Sequence, residues 1–258
     1  MMVVDVTYIP EEISSLSRKN NPSMHIVVDI FRASSSMVTM LSLGAVAVIP
    51  FLRFEEAFDY NVKQGATDML LIGEREGKPI PNFHFGNSPL DYQANRERFK
   101  GKMVCFSTTN GTRVMQALKE EQKVIVSSFL NLQASINRVL SEKPQSLLIH
   151  LAGSDGRVSM EDTLFAGYFI SELEQRTDLK LYDGAKLVAG FVRSLVTDKK
   201  NSLRNAVISQ AKQTAHAKYL SKIGFEKDLD FCLQNDVYDI IPVWNAQSGF
   251  FTGEYYDR

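Results

Sequence analysis

Apolar runs alternate with segments of helical periodicity along most of the chain. The runs are rich in β-branched residues, which favour strands, and the segments between them repeat apolar side chains three or four positions apart. Strands are predicted at residues 2–8, 25–30, 45–51, 68–72, 103–106, 123–128 and 146–151. Helices are predicted between them, around residues 37–41, 54–64, 114–118, 132–140 and 165–173.

The pattern changes after residue 177. Helices are predicted at residues 185–195, 203–220 and 228–234, no further strand is predicted, and an irregular tail is expected from Pro242 onward. Strands that alternate with amphipathic helices indicate βαβ units and a sheet covered on both faces. The sequence therefore predicts an α/β protein, a three-layer α/β/α fold with a mainly parallel or mixed sheet and a more helical C-terminal part. We expect one domain over residues 1–258, in which similar strand-turn-helix units suggest an internal pseudo-repeat.

Three of the predicted strands end in similar polar turns. Residues 29–36, 107–113 and 152–157 are each rich in hydroxyl groups or glycine, and each precedes a predicted helix. In open α/β sheets, ligands bind at the carboxyl ends of parallel strands, where such turns converge. We therefore expect the three turns to share one anion-binding pocket.

The turn at residues 107–113 has the composition of a phosphate-binding loop. A helix is predicted directly after it, and helix N-termini attract anions through free N–H groups and about half a positive charge. The alternative is a polar βα loop that a threonine caps and that binds no ligand. The predicted donors, with the glycine between them, are Thr108, Thr109, Asn110, Gly111, Thr112 and Arg113.

Acidic residues accompany arginines at two predicted strand ends. Asp29 could bind Mg²⁺, attack phosphorus or cap its own turn. Arg32 suits a phosphoryl group, although it could equally pair with Asp29. Glu74 and Arg75 repeat the combination after the strand at 68–72, where Glu74 could complete a metal site and Arg75 could neutralise an acidic substrate. A surface charge cluster is the alternative for this second pair.

Two further acids, Glu161 and Asp162, stand at the start of the predicted helix around residue 165. Acids in this position favour the helix dipole by about 0.3–1 kcal/mol, but one or both could instead bind a metal ion. Together the acids predict a divalent cation beside a multiply anionic ligand, which suits attack of water on phosphorus. Asp29 could be a ligand or a nucleophile; we favour the ligand because the second Asp of the common aspartyl-phosphate signature is missing.

Charge and composition narrow the classes of partner. The 258 residues include 29 basic and 30 acidic side chains, so broad electrostatic binding of nucleic acid is not expected. No apolar stretch is long enough to span a bilayer, and no secretory leader is recognisable. Only two cysteines occur, which excludes a disulfide framework and favours a cytoplasmic protein. The histidines His25, His84, His150 and His216 share no metal-ligand spacing.

Five motifs carry a resemblance to a known family. They are V-V-D-I-F-R-A-S-S-S at residues 27–36, G-E-R at 73–75, F-G-N-S-P-L at 85–90, T-T-N-G-T at 108–112 and E-D-T-L at 161–164. In this order they resemble the 2-phosphosulfolactate phosphatase family of coenzyme M biosynthesis, and residues 225–242 resemble its C-terminal segment. The resemblance implies a Mg²⁺-dependent phosphoric monoester hydrolase that converts 2-phosphosulfolactate into 3-sulfolactate and phosphate.

The resemblance and the chemistry of the individual residues together give a set of expected site residues. The expected catalytic residues are Asp29, Arg32 and Arg75. The metal ligands inferred from their carboxylate chemistry are Asp29, Glu74, Glu161 and Asp162. The expected substrate-binding residues are Ser34, Ser35, Asn87, Ser88, Thr108, Thr109, Asn110, Gly111, Thr112 and Arg113.

Two other functions fit the same residues. One is a phosphohydrolase that acts on another small phosphorylated acid, and the other is a non-catalytic sensor of anionic metabolites in which the acids only cap turns. Turnover separates an enzyme from a sensor.

A substrate with phosphate, sulfonate and carboxylate groups explains the number of anion-binding turns. The apolar C-terminal half could pair two copies as a homodimer.

Overall fold

Ten α-helices and eleven β-strands make up most of the computed structural model, which describes residues 1–13, 22–65, 68–196 and 202–256. The strands are β1 Met2–Thr7, β2 Met24–Val28, β3 Ala47–Pro50, β4 Met69–Arg75, β5 Lys78–Pro79, β6 Met103–Ser107, β7 Val124–Val126, β8 Ser146–Leu151, β9 Leu179–Leu181, β10 Ile240–Asn245 and β11 Phe250–Tyr255. The helices are α1 Ala33–Ser42, α2 Phe54–Lys63, α3 Pro89–Ala94, α4 Gly111–Ala117, α5 Leu132–Glu142, α6 Met160–Glu174, α7 Asp183–Ser194, α8 Leu203–Ala211, α9 Ala215–Lys222 and α10 Glu226–Cys232. None of these helices is both long enough and apolar enough to cross a bilayer.

One mixed sheet contains all eleven described strands, in the order β5-β4-β6-β3-β11-β10-β7-β2-β8-β1-β9. Strands β4, β6 and β3 form one parallel group, and β7, β2, β8, β1 and β9 form another. The hairpin of β10 and β11 lies antiparallel between the two groups and joins them. The predicted α/β fold with a mixed sheet is confirmed.

The sheet is buried on both faces. In β2, Ile26 and Val28 lie in one apolar core with residues of α6 and α7, whereas Val27 lies in a second core with residues of α1. Successive side chains of a strand point to opposite faces, so a strand with apolar residues at every position needs cover on both sides. The continuous apolar runs in the sequence follow from this burial.

Helix α1 packs against the middle of the sheet, next to the site. Every residue from Ala33 to Leu41 is buried, and α1 contacts β3, β7, β10 and β11. Strands β6 and β2 stand five places apart in the sheet, which would separate them by about 24 Å if the sheet were flat. Yet a Cβ added to Gly111, after β6, would lie 2.8 Å from Oδ2 of Asp29, after β2. The segment after β6 therefore reaches across to the end of β2.

The C-terminal part contains more strand than the sequence predicts. Strand β9 follows residue 177, and β10 and β11 replace the expected irregular tail, so both expectations are wrong. Their pairing partners β7 and β3 are more than a hundred residues away in the chain, and a local pattern carries no information about such partners. The expected helix at 203–220 is divided into α8 and α9 by Thr214, whose hydroxyl caps α9.

Two smaller differences concern the region of the predicted site. Gly73, Glu74 and Arg75 belong to β4 and do not form a turn after it. Residues 78–92 contain three prolines, which favour an irregular loop, but the segment includes β5 and the beginning of α3. Proline explains the second difference, because it fits the first turn of a helix, where Pro89 stands, as well as it fits a loop.

Candidate active site

A cavity of about 440 Å³ opens at the carboxyl ends of β2, β4, β6 and β8. The three polar turns of the sequence all contribute to its lining, through Asp29 and Arg32, through Thr109 and Asn110, and through Ser154 and Asp155. Helix α9 supplies another wall, which includes His216 and Tyr219. The volume is within the range of about 300–1,000 Å³ that is usual for sites of small molecules.

Asp29 lies at the end of β2 and lines the cavity. Its Oδ1 accepts the N–H of Ala33 at 3.2 Å. Burial raises the pKa of Asp29 to about 6; His216 nearby lowers it, and the neighbouring Glu74 adds to the rise. A buried carboxylate with one local hydrogen bond gains most from a cation, since nothing else in its surroundings fully compensates its charge.

Arg32 lines the same cavity although only 2 % of its surface is exposed. Its Nη1 donates to Oδ2 of Asp228 at 3.3 Å, and its Nη2 donates to the carbonyl of Gly77 at 3.1 Å. Its guanidinium carbon lies 3.9 Å from the ring centre of Phe225. The acid that pairs with Arg32 is therefore Asp228 and not Asp29. Two of its five N–H donors are used by these contacts.

Glu74 connects β4 to the turn after β6. Its Oε1 accepts the N–H of Thr109 at 2.7 Å, and its Oε2 accepts the N–H of Gly77 at 2.7 Å and the hydroxyl of Thr109 at 3.2 Å. Glu74 lines the cavity while it holds two of the neighbouring segments.

Arg75 points away from this cavity. Its guanidinium donates to the carbonyls of Leu52, Glu74 and Ser107 and to the Ser107 hydroxyl, at 2.7–3.2 Å. These contacts tie β4 to β6 and to the loop before α2. The structure therefore does not bring Arg75 into the group of cavity-lining residues.

Glu161 and Asp162 lie behind the cavity wall, at the start of α6. Oε1 of Glu161 is 2.8 Å from Nδ1 of His216. Burial raises the pKa of Glu161, but the contact with His216 outweighs this and leaves that pKa lowered; the same contact raises the pKa of His216 against the effect of burial. Oδ1 of Asp162 accepts the N–H of Ile30 at 2.9 Å. Burial, together with Asp29 and Glu161, raises the pKa of Asp162 well above its usual range.

Asn87 and Ser88 stand at the start of α3. Asn87 lines the cavity, only 4 % of its surface is exposed, and its Oδ1 has no hydrogen-bond partner among the described residues. The Ser88 hydroxyl donates to Oδ1 of Asp228 at 2.8 Å and accepts the N–H of Asp91 at 3.2 Å. Asn87 thus offers the cavity an amide oxygen without a partner, whereas Ser88 connects the start of α3 to Asp228.

Most donors of the predicted phosphate-binding loop are occupied within the protein. The hydroxyl of Thr112 donates to the carbonyl of Thr108 at 2.8 Å, and the N–H of Thr112 donates to the hydroxyl of Thr108 at 3.2 Å. Oδ1 of Asn110 accepts the N–H of Asp155 at 3.4 Å. From this loop, Thr109 and Asn110 line the cavity.

Three other predicted substrate contacts also lie outside the lining. Arg113 pairs with Glu11 at the surface, and 41 % of its side chain is exposed. The Ser34 hydroxyl accepts the N–H of Asp29 at 2.8 Å, and the Ser35 hydroxyl donates to the carbonyl of Ile30 at 3.0 Å. The two serines stabilise the turn that carries Asp29.

Sequence reasoning missed His216, Asp228 and Phe225. They come from the C-terminal helices, about 190 residues after Asp29, and they meet the strand ends through tertiary packing alone. Thr214, a helix-capping residue two positions before His216, is a local signal, but it indicates a helix start and not a cavity.

The donors around the cavity fit a hard divalent cation. The buried acids Asp29, Glu74, Glu161 and Asp162 lie in or behind the cavity wall, while Arg32 pairs with Asp228 and His216 pairs with Glu161. Oδ1 of Asn87 has no hydrogen-bond partner among the described residues. Carboxylate and amide oxygens are the ligands that Mg²⁺ prefers, and Mg²⁺ is usually held by one or two carboxylates with water and phosphate oxygens. Within residues 1–13, 22–65, 68–196 and 202–256, no three His, Cys, Asp or Glu side chains converge as a metal cluster.

Comparison with known proteins gives a consistent result. A model of the 2-phosphosulpholactate phosphatase family matches residues 7–247. A probable 2-phosphosulfolactate phosphatase of Thermotoga petrophila is 37% identical over 217 residues, which are 84% of this chain and 87% of that protein. One from Clostridium perfringens is 34% identical over 242 residues, 93% of this chain and 92% of the relative. One from Clostridium beijerinckii is 28% identical over 242 residues, 93% and 96% of the two chains.

Proposed function

The chain belongs to the 2-phosphosulfolactate phosphatase family and is a phosphoric monoester hydrolase, and we propose that it hydrolyses 2-phosphosulfolactate to 3-sulfolactate and phosphate with the help of Mg²⁺. The observation that carries the proposal is the cavity in which Asp29, Arg32 and Glu74 meet. Asp29 and Arg32 follow β2 and Glu74 lies near the end of β4, so the fold itself assembles carboxylates and a guanidinium around one small volume.

Arg32 is the proposed contact for the phosphoryl oxygens. The Asp228 carboxylate, the Gly77 carbonyl and the Phe225 ring fix its guanidinium, and its remaining donors are available to a ligand in the cavity. A donor that is already oriented stabilises negative charge in the transition state without reorganisation. A guanidinium also matches phosphate oxygens in bidentate fashion.

Asp29 and Glu74 are the proposed protein ligands of Mg²⁺, since both line the cavity, and Asn87 adds an amide oxygen on the same lining. When it is bound, Mg²⁺ neutralises charge on the phosphoryl oxygens. In this assignment Asp29 would hold the metal ion, and a water molecule attacks phosphorus. Isolation of a phosphorylated Asp29 would instead make it the nucleophile.

His216 is the proposed second cationic contact of the substrate. Glu161 holds its Nδ1, which leaves Nε2 as the ring nitrogen without this partner, and the residue lines the cavity from α9. The carboxylate or sulfonate of the substrate is a suitable partner for such a group. Arg32 and His216 together would favour substrates that carry an acid group besides the phosphate.

Release of inorganic phosphate from 2-phosphosulfolactate by the purified protein tests the proposal. We expect turnover in Mg²⁺, loss of turnover in EDTA and recovery when Mg²⁺ is added back. Phospholactate, which lacks the sulfonate, should react more slowly. Faster turnover of another small phosphorylated acid would identify that acid as the substrate instead. If such acids bind but none of them is turned over, a catalytic role for this cavity is contradicted.

A further inference from the structure

Asp228 is a buried carboxylate that contacts no substrate in the proposed reaction. It lies on α10, 4 % of its surface is exposed, and it is not among the residues that line the cavity. It nevertheless holds two residues next to that cavity. Its Oδ2 is 3.3 Å from Nη1 of Arg32, and its Oδ1 accepts the Ser88 hydroxyl at 2.8 Å and the N–H of Leu90 at 3.3 Å.

The first of these contacts fixes the guanidinium of Arg32. Phe225, three residues before Asp228, lies under the guanidinium at 3.9 Å, and the carbonyl of Gly77 takes a second donor. A guanidinium with three neighbours of this kind has few orientations. A buried arginine that loses its carboxylate becomes an uncompensated charge and moves toward other partners. The charge of Asp228 therefore determines where the free donors of Arg32 lie.

The second contact fixes the other wall of the cavity. Ser88 caps α3, and Asn87, directly before it, lines the cavity with an amide oxygen that has no partner among the described residues. Because the two oxygens of Asp228 hold Arg32 and Ser88, one carboxylate sets the spacing between the guanidinium and the Asn87 turn. The two groups come from segments that are more than fifty residues apart.

We infer that Asp228 is a positioning residue, which orients Arg32 toward the phosphoryl group and keeps the Asn87 turn beside it. The inference rests on the proposed function only in taking Arg32 as the contact of the phosphoryl oxygens. Asp228 acts through Arg32 and touches no substrate. Its effect appears mainly in kcat, because a small misplacement weakens interactions that are strongest in the transition state.

Asp228→Asn is the test variant, because the amide keeps the size and one acceptor oxygen but lacks the charge. We expect kcat/KM to fall about 10²-fold, chiefly through kcat. Asp230→Asn is the matched control on the same helix, since Asp230 is exposed and pairs with Lys212 at the surface. It should stay within about twofold of the parent protein. Thermal unfolding of both variants shows whether either has lost the fold.

A double-mutant cycle with Arg32→Ala separates positioning from a general structural effect. If Asp228 acts through Arg32, Asp228→Asn changes kcat/KM by less than about twofold once Arg32 is absent. The inference would be overturned if the losses of kcat/KM in the two single variants multiplied in the double variant. It would also be overturned if Asp228→Asn were as active as the parent protein. Arg32→Lys replaces Arg32→Ala if the alanine variant does not fold.

The same cycle measured by binding keeps the test independent of the substrate. Inorganic phosphate is titrated into the four proteins by calorimetry, and we expect Asp228→Asn to weaken its affinity only when Arg32 is present. If 2-phosphosulfolactate is not turned over but phosphate binding shows this coupling, the proposed function fails and the inference holds. If turnover is found and neither cycle shows coupling, the proposed function holds and the inference about Asp228 fails.

Discussion

Strand β2 carries residues of two buried polar clusters that differ in almost every respect. His25, near its beginning, belongs to a histidine chain with His150 and Thr7 on the neighbouring strands β8 and β1. Asp29, just after its end, belongs to the cavity with Arg32. The two clusters are only four residues apart on β2.

Three of the four ring nitrogens in the histidine chain have a hydrogen-bond partner within it. Nδ1 of His25 is 2.9 Å from Nε2 of His150, and Nδ1 of His150 is 3.0 Å from the hydroxyl of Thr7, with the two rings stacked at 5.2 Å. Nε2 of His25 lies 3.5 Å from Glu121 without a well-aligned hydrogen bond. Burial lowers the pKa of His25 to about 4 and that of His150 well below its usual range. Both rings are therefore neutral, and the cluster needs no ligand.

The polar groups of the cavity are not all paired with one another. Burial raises the pKa of Asp29, which has acids for neighbours, and the Asn87 oxygen has no partner in the part of the chain that the structure describes. The difference lies in position along the strand. The middle of a sheet is sealed by its neighbours on both faces, so its polar groups must satisfy each other, whereas the carboxyl end opens onto loops. Uncompensated charge at the open end indicates a place for a ligand.

Asp29→Asn gives the largest expected effect. The change removes a charge from the cavity and leaves the size of the side chain unaltered, so we expect kcat/KM to fall by about 10³-fold, as for the loss of a central electrostatic group. The thermal midpoint should be equal or higher, because the fold no longer has to bury this carboxylate. Steady-state kinetics and thermal unfolding measure the two effects.

Asp5→Asn is the control for this prediction. Asp5 is a partly buried carboxylate on β1 that accepts the N–H of Val6 at 2.9 Å and lies outside the cavity. Its variant should retain full activity. Equal losses of activity in both variants would mean that the cavity has no special role.

Acid should destabilise the histidine chain by a smaller amount. The unfolded histidines bind protons below about pH 6.5, but the folded ones resist until their lowered pKa values are reached, about 4 for His25. The unfolded state therefore binds more protons across this window, and stability falls as the pH falls. The expected loss in the free energy of unfolding is about 1.4 kcal/mol per pH unit for each histidine.

Urea unfolding between pH 7 and pH 5 measures this slope. A variant with both His25→Gln and His150→Gln has no ring to protonate and should lose less stability per pH unit, with unchanged kcat at pH 7. An identical slope in the two proteins would show that the histidine chain does not control acid stability.

The smallest expected effect is that of Arg113→Gln. Arg113 was predicted from the sequence as an anion contact in the same way as Arg32, but it is exposed and pairs with Glu11. Exposed ion pairs contribute about 0–1 kcal/mol, so stability should change by less than about 0.5 kcal/mol and kcat/KM by less than about twofold. A tenfold loss of kcat/KM would place Arg113 in the site and remove the distinction between the two arginines.

The sequence predicts the strand ends of the site well because local chemistry determines them. An apolar run followed by Asp29 and a serine-rich turn indicates a buried strand with a polar end. The partners of these residues, however, are determined by tertiary packing. Neither Asp228, which holds Arg32, nor His216, which holds Glu161, has a sequence spacing that relates it to β2. Motifs therefore locate one half of the cavity, and the C-terminal helices supply the rest.

The same distinction applies to the fold. Strands β2 and β8 are buried on both faces, so their sequences are continuous apolar runs that can be recognised. Strand β10 contains Pro242, and β11 contains Gly253 and ends in exposed residues. Proline and glycine favour turns locally, so the pattern predicts an irregular tail. The hairpin forms because β3 and β7 offer edges on either side of it.

The position of this hairpin has a consequence for the order of events during synthesis. The two parallel groups of strands precede β10 and β11 in the chain, and without this hairpin β3 and β7 would present open, apolar edges. Such edges pair with other chains when they stay uncovered. The cavity draws Asp29 from one group and Glu74 from the other, so a nascent chain gains its site only with its last strands. Premature release would leave an inactive, aggregation-prone fragment.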